Sequence, residues 1–302
     1  MSEVIFPDDR PLGSHVTVIS GIDGGRYPHG NSMLVSGALG TLLIDPSMTV
    51  YARGGVNSRV DRILVSHSHE DHIAGLGLFP TAHVHVHDDD LLGIHSLDGF
   101  LQVYGMSPEI AGPWSVELVD TYHYTPRPDA VGFRDGERFD LGGVTVTAVH
   151  LAGHTRGHSG FLVEPDGVFF VGDVDLTGFG PYYGDHGSSL VDFEESLLKV
   201  REFDAAHYVT FHQKGVIDGR ATFIEMLDAF SAVIGKREAR MLQFLSEPRT
   251  LADMVAHRFV YRPGVELLFA DHVEHRTASL HLERLLPTGA VVEVEPGVYR
   301  TA

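Results

Sequence analysis

Apolar and polar positions alternate over short stretches through the first two thirds of the chain. Runs near 15–20, 32–36 and 40–44 are bounded by Gly, Asn or Pro and predict meander strands. A denser apolar run over 60–65 predicts a buried strand, and Ile73-Ala74-Gly75-Leu76 a helix start. His83-Val84-His85-Val86-His87 has period two, which places three histidines on the polar face of a strand. No acidic residue at comparable spacing joins them, so His87 is expected near any functional site without holding a metal. From 88 to about 127 the pattern turns helical and aromatic, with Ser107 as N-cap and Pro108 at the first helical position. Aromatic residues at helical spacing predict packing.

Strands resume at 138–141, 144–149, 161–163 and 168–171, with Gly142-Gly143 and Pro165-Asp166-Gly167 as hairpin turns. Ser188-Ser189 precedes an amphipathic stretch over 190–203 and predicts its cap, and 207–211 closes the series. Strands and helices in this order predict an α/β layered domain over 1–235. From about 236 the pattern becomes three helices and a hairpin, with Thr250 as the N-cap of the second helix and Pro287-Thr288-Gly289 as the stop after the third. Residues 236–302 are therefore expected to form a small second domain.

Chemistry concentrates at 66–72, Ser-His-Ser-His-Glu-Asp-His, where His67, His69, Asp71 and His72 fit H-x-H-x-D-H on a strand-to-helix loop. His154, Asp173 and His212 each follow a predicted strand, so they too should stand at sheet ends. Together they offer seven ligands. Imidazole and carboxylate suit zinc, and also iron or manganese. The chain has no cysteine, which removes thiolate ligands, disulfides and a thiol nucleophile.

These motifs resemble the metallo-β-lactamase-fold hydrolase superfamily over about 14–234, most of all its glyoxalase II-like branch. Gly30-Asn31 and Ile44-Asp45-Pro46 match further family motifs. The resemblance implies a four-layer αββα sandwich and two divalent metal ions, most often zinc. His67, His69 and His154 would hold the first, Asp71, His72 and His212 the second, and Asp173 would bridge them. The family often has Pro where Ala152 stands and a Gly-His-Gly setting where this chain has Phe211-His212-Gln213. The tail resembles the winged-helix extension of some members, a branch that includes endoribonucleases. Insertions at the position of 88–127 tend to lie over the metal cleft in that family.

Charge bears on the partners. With 22 basic and 41 acidic residues the formal charge is −19, and residues 236–302 hold 9 of each sign. Neither part has the basic footprint of a nucleic-acid reader. A small-molecule substrate is expected, with the tail packed on the catalytic domain or on a second subunit. The acidic N-terminus has no basic n-region before an apolar run and no segment reaches spanning length, so a cytoplasmic protein is expected, without membrane contact.

The expected reaction is hydrolysis of a thioester, lactone or related activated ester by a metal-bridging hydroxide, since two ions lower the pKa of a shared water from about 15.7 towards roughly 7. Asp173 would position both ions and Asp71 would shuttle a proton. His158 is expected to orient a ligand, Tyr182 or Tyr183 to reach the substrate or a developing oxyanion, and Arg156 to pair with an acid at the surface. The alternatives are a phosphodiesterase or endoribonuclease on the same scaffold, a metal-binding effector, or a single-iron oxygenase.

Overall fold

The computed structural model describes residues 5–302; residues 1–4, where the acidic N-terminal segment begins, lie outside the described residues. The first predicted meander becomes Arg10–Leu12, Val16–Ile19, Ser32–Gly37 and Gly40–Ile44, all paired antiparallel. Arg62–Leu64, His83–His87 and Val131–Phe133 then add in parallel, completing a seven-stranded sheet in chain order. Parallel neighbours need crossovers, and helical segments supply them. The longest crossover is the aromatic insertion, folded as Leu91–His95, Leu97–Tyr104 and Pro108–Asp120. A second sheet of six strands runs Val216–Asp218, His207–Val209, Val168–Phe170, Ser159–Glu164, Thr145–His150, Arg138–Asp140. Its one parallel pair, Val168–Phe170 with His207–Val209, is joined through the helix Leu190–Val200.

Strand alternation explains the layers. Leu64 and Phe170 point into the core between the sheets, where they meet Ile44, Val146 and Phe161. Their neighbours point outward. Ile63 packs with Phe100, Trp114 and Leu118 of the insertion, while Phe169 packs with Phe193, Phe223 and Phe230 on the opposite side. Helix, sheet, sheet, helix is the αββα sandwich.

The helix starts refine two expectations. Ser107 stands at the N-cap position before Pro108, but its side chain accepts no capping bond. Ser189 alone caps Leu190–Val200, accepting from the Asp192 N–H; Ser188 turns inward and donates to the His154 carbonyl at 2.7 Å. Thr250 forms a reciprocal capping box with Asp253, as its position suggested. Pro287 is accommodated within the last turn of its helix, and Gly289, left-handed at φ 73°, ends it.

The tail comprises the end of Arg220–Phe244, then Leu251–His257 and Ala270–Thr288, and the hairpin Val291–Glu295 with Val298–Thr301, to which Arg249–Thr250 adds an edge. Met241, Met254, Phe259 and Leu285 give it a core of its own. Position 235 falls inside Arg220–Phe244, so one continuous helix runs from the sandwich into the tail. Buried Arg237 donates to the Pro181 carbonyl at 2.9 Å and the Phe179 carbonyl at 3.2 Å, and Arg284 links Glu194 to Glu238 at 2.8 and 2.6 Å. Among the described residues no helix is long and apolar enough to cross a membrane.

Candidate metal centre

Strand ends from both sheets deliver their loops to one edge of the sandwich. Arg62–Leu64 leads into the loop of His67 to His72; Thr145–His150, Val168–Phe170 and His207–Val209 lead to His154, Asp173 and His212. All seven candidate ligands meet there. His67, His69, His154 and Asp173 form one group and Asp71, His72 and His212 another, with donor atoms inside each group within 4.8 Å of one another. His154 Nε2 lies 3.1 Å from both His67 Nε2 and His69 Nδ1. Metal–nitrogen bonds of about 2.0–2.1 Å in a tetrahedral site put ligand nitrogens about 3.3 Å apart. The Asp173 carboxylate spans both groups, with Oδ2 3.3 Å from His154 Nε2 and Oδ1 3.1 Å from His72 Nε2. Asp71 Oδ2 stands 3.2 Å from His212 Nε2. Asp71 Oδ2, His72 Nε2 and Asp173 Oδ1 are buried and lack a well-aligned hydrogen-bond partner. Buried polar atoms seldom go without one, and these three fit a cation.

Every inward imidazole has its outer nitrogen occupied, which fixes ring orientation. His69 Nε2 lies 2.6 Å from Asp185 Oδ2, and His72 Nδ1 lies 2.8 Å from Asp45 Oδ2. His154 Nδ1 donates to the Tyr182 carbonyl at 2.9 Å, and His212 Nδ1 points at the Gly25 and His29 carbonyls, both at 3.2 Å. His67 Nδ1 meets Ser66 Oγ at 3.1 Å. Asp45 is wholly buried and left-handed at φ 50°; it also takes the Ser66 N–H at 2.7 Å. The motif Ile44-Asp45-Pro46 thus steers His72. In the other motif, Asn31 donates to the Phe211 carbonyl at 2.9 Å, and a Cβ on Gly30 would sit 2.1 Å from the Phe211 ring. Both residues hold the loop of His212. Gln213 keeps the left-handed backbone, φ 54°, that a glycine would adopt more easily.

Burial penalises the charged imidazoles, yet Asp185 overrides it at His69, raising that ring to about 9. At His212 the carboxylates of Asp175, Asp173 and Asp71 do the same, to about 10. His67, surrounded by His72, His69 and His154, is held well below the usual range, chiefly by burial. Burial and Asp173 together push Asp175 up to about 8. No Lys or Arg lines the cavity that opens above these groups. The excess of buried negative charge is what divalent cations would neutralise.

The other predicted site residues divide. His158, wholly buried, donates to the Leu151 carbonyl at 2.9 Å and accepts the Asp173 N–H at 3.0 Å, so it positions Asp173 through the backbone. Burial lowers it to about 3, which leaves Nε2 free to accept. Gly172, at φ 54°, is required beside it: a Cβ there would meet His158 Nε2 at 2.5 Å. Tyr182 lines the cavity, its hydroxyl 3.4 Å from Asp185. Tyr183 does not. Its hydroxyl lies 2.9 Å from His281 Nε2, so Tyr183 is turned into the tail. Arg156 is exposed and outside the cavity. His87 is buried and, against expectation, has Asp89 3.5 Å from Nδ1; it stacks on His150 with ring centroids 4.0 Å apart and planes 8° apart. Lone pairs in parallel planes do not converge on one ion.

Several cavity residues escaped the sequence reading. Glu70, inside the histidine motif, takes the hydroxyls of Tyr27 at 2.8 Å and of Tyr104. Asp175 accepts the His212 N–H at 3.2 Å. From the tail come Tyr261, Leu267 and Phe269, and from the loop after Asp173 comes Phe179. The cavity, open at its mouth, has a volume of about 260 Å³.

Residues 26–212 match the family model described as the metallo-beta-lactamase superfamily. The chain is similar to the beta-lactamase-like protein 2 homolog of Caenorhabditis elegans, 24% identical over 83% of this chain and 77% of that protein. Against an atrochrysone carboxyl ACP thioesterase of Aspergillus fumigatus it is 26% identical over 49% of this chain, and against the hydroxyacylglutathione hydrolase GloC of Haemophilus influenzae 32% over 38%. It spans 35% and 50% of the length of those two proteins. A crystal structure of a metallo-beta-lactamase family protein from Thermus thermophilus superposes with a TM-score of 0.67 at 23% identity, covering 91% of this chain and 94% of that one.

Proposed function

The chain belongs to the metallo-beta-lactamase superfamily as a metal-dependent hydrolase, and we propose that it uses two divalent ions, zinc before iron or manganese, to cleave thioesters, lactones or related activated esters. His67, His69 and His154 hold one ion, Asp71, His72 and His212 the other, and Asp173 joins them. The observation that carries this reading is the Asp173 carboxylate, with one oxygen 3.3 Å from His154 Nε2 and the other 3.1 Å from His72 Nε2. Bound there, the ions supply a water acidified towards neutrality and Lewis-acid stabilisation of the carbonyl oxygen. Asp71, a ligand through one carboxylate oxygen, would use its other oxygen to hold and release the proton of the attacking water. Tyr182, whose hydroxyl is only loosely engaged, faces the same space as a donor to a developing oxyanion. His158 keeps Asp173 in place.

Acyl substrates are favoured over phosphodiesters for two reasons. Two relatives bear the names thioesterase and hydroxyacylglutathione hydrolase. The cavity also lacks the Lys or Arg that phosphate recognition ordinarily employs. We read residues 236–302 as a winged-helix-like unit docked on the catalytic domain. The test joins elemental analysis of gently purified protein to a parallel screen of thioesters, lactones and phosphodiesters. Two ions per chain with ester or thioester turnover are expected. One ion at saturation, unchanged by His212→Ala, would sink the dinuclear reading; activity confined to phosphodiesters would sink the substrate class.

A further inference from the structure

The end of the cavity away from the imidazoles is apolar and assembled from distant parts of the chain. Phe179 and Leu267 line it while remaining 41% and 39% exposed, so hydrophobic side chains stand at its mouth. Phe179 and Tyr261 approach with ring centroids 6.0 Å apart, and Phe269 meets the Trp114 ring at 5.5 Å. The segment between the last two tail helices thereby reaches both the loop after Asp173 and the insertion. That segment has almost no regular structure, so its placement needs a separate cause. Glu274, wholly buried on Ala270–Thr288, accepts the backbone N–H groups of Phe259, Val260 and Tyr261 at 2.7, 3.0 and 2.8 Å. Three donors on one carboxylate fix the turn that delivers Tyr261 to the cavity.

Resting on the hydrolase reading above, we propose that residues 261–269 form the substrate-selecting wall of the site, taking an uncharged apolar chain or ring attached to the scissile carbonyl, with Glu274 as the positioning residue for that wall. The absence of a lining Lys or Arg argues for an uncharged group, because a buried anion there would have no partner away from the ions.

The full-length, metal-loaded protein tests this with acyl thioesters of one thiol from acetyl to octanoyl. kcat/KM should rise with chain length by up to about fourfold per methylene buried. Leu267→Ala and Phe269→Ala should each lower the octanoyl-to-acetyl ratio about tenfold, and Leu267→Lys should shift preference towards succinyl. Glu274→Gln should lower the same ratio, mainly through KM, with metal content intact. A flat chain-length profile in the parent, or variants that depress acetyl and octanoyl alike, would overturn the wall. Calorimetric Kd values for N-methylacetamide and N-methyloctanamide separate the two readings. Tighter binding of the longer amide, lost in Leu267→Ala, upholds the wall even if no thioester is cleaved; equal binding of both removes it whatever the activity.

Discussion

Within one cavity, the end that carries the imidazoles is drawn from strand ends of the two sheets, whereas the opposite end is drawn from Phe179 and the irregular segment around Leu267. At the first end each imidazole has its outer nitrogen occupied, and Asp173 is held through its own N–H by His158. At the second, contacts are between apolar surfaces, some of them open to solvent. Polar donors act only in a narrow geometry, so they sit on rigid elements. Apolar walls tolerate repacking. The same fold can therefore keep its chemistry while the wall changes what it accepts, and substitutions at the two ends should have different kinetic signatures.

The largest effect should come from Asp71→Asn. The substitution removes a charge beside His212 and His72 without altering the wall, so kcat should fall by about 10²–10⁴-fold while the chain-length preference of KM survives. Metal content has to be measured in the same samples. A metal-replete Asp71→Asn enzyme as fast as the parent would remove Asp71 from proton transfer and blur the division between the two ends.

A smaller loss is expected one layer back. Asp45→Asn weakens the hold on His72 Nδ1, and Asp185→Asn the hold on His69 Nε2, without either residue being a proposed ligand. Such outer partners are worth about 10–100-fold in metal affinity or activity, and titration with a chelator would read it. If both variants matched the parent in metal affinity, the rigidity ascribed to this end would have another source.

The metal end was legible in sequence because its signal is local: four donors in one loop, and three more each in the loop that follows a predicted strand, the position a layered α/β fold gives to functional loops. Asp45 was visible as part of a motif, but its contact with His72 spans the gap between two strands. Asp185 and Glu70 carried no signal, since an acid in a loop or beside a histidine is ordinary until its partners are known. Tyr182 and Tyr183 were indistinguishable because nothing in Pro-Tyr-Tyr-Gly says which phenol faces the ions. The strands and the aromatic insertion followed from periodicity. The helix through 235 did not, because the boundary was drawn where the pattern changes, near 236, whereas the helix Arg220–Phe244 runs on through that point. The wall was hidden for a deeper reason: Leu267 and Phe269 lie in an aperiodic stretch, and their role depends on Glu274 and on packing against Trp114.

The smallest effect expected concerns the attachment of the tail, on which the wall depends. Hydrogen bonding to His281 holds Glu238 down to about 2 against the cost of burial, with Arg284 2.6 Å away adding to it. A carboxylate lowered in the folded state stabilises it above the unfolded pKa, near 4.5, and that contribution disappears as pH falls from about 4.5 towards about 2. Glu238→Gln should therefore lower the melting temperature at pH 7, by about 1 kcal/mol of stability once partial exposure is discounted. The gap between parent and variant should close through the same acid window. Thermal melts of both proteins at matched metal content from pH 7 to pH 3 read this directly. A gap that stays constant down to pH 3 would mean that the Glu238 charge contributes nothing and that apolar packing alone fastens the tail. The wall would then be anchored by the same kind of contact that it offers the substrate.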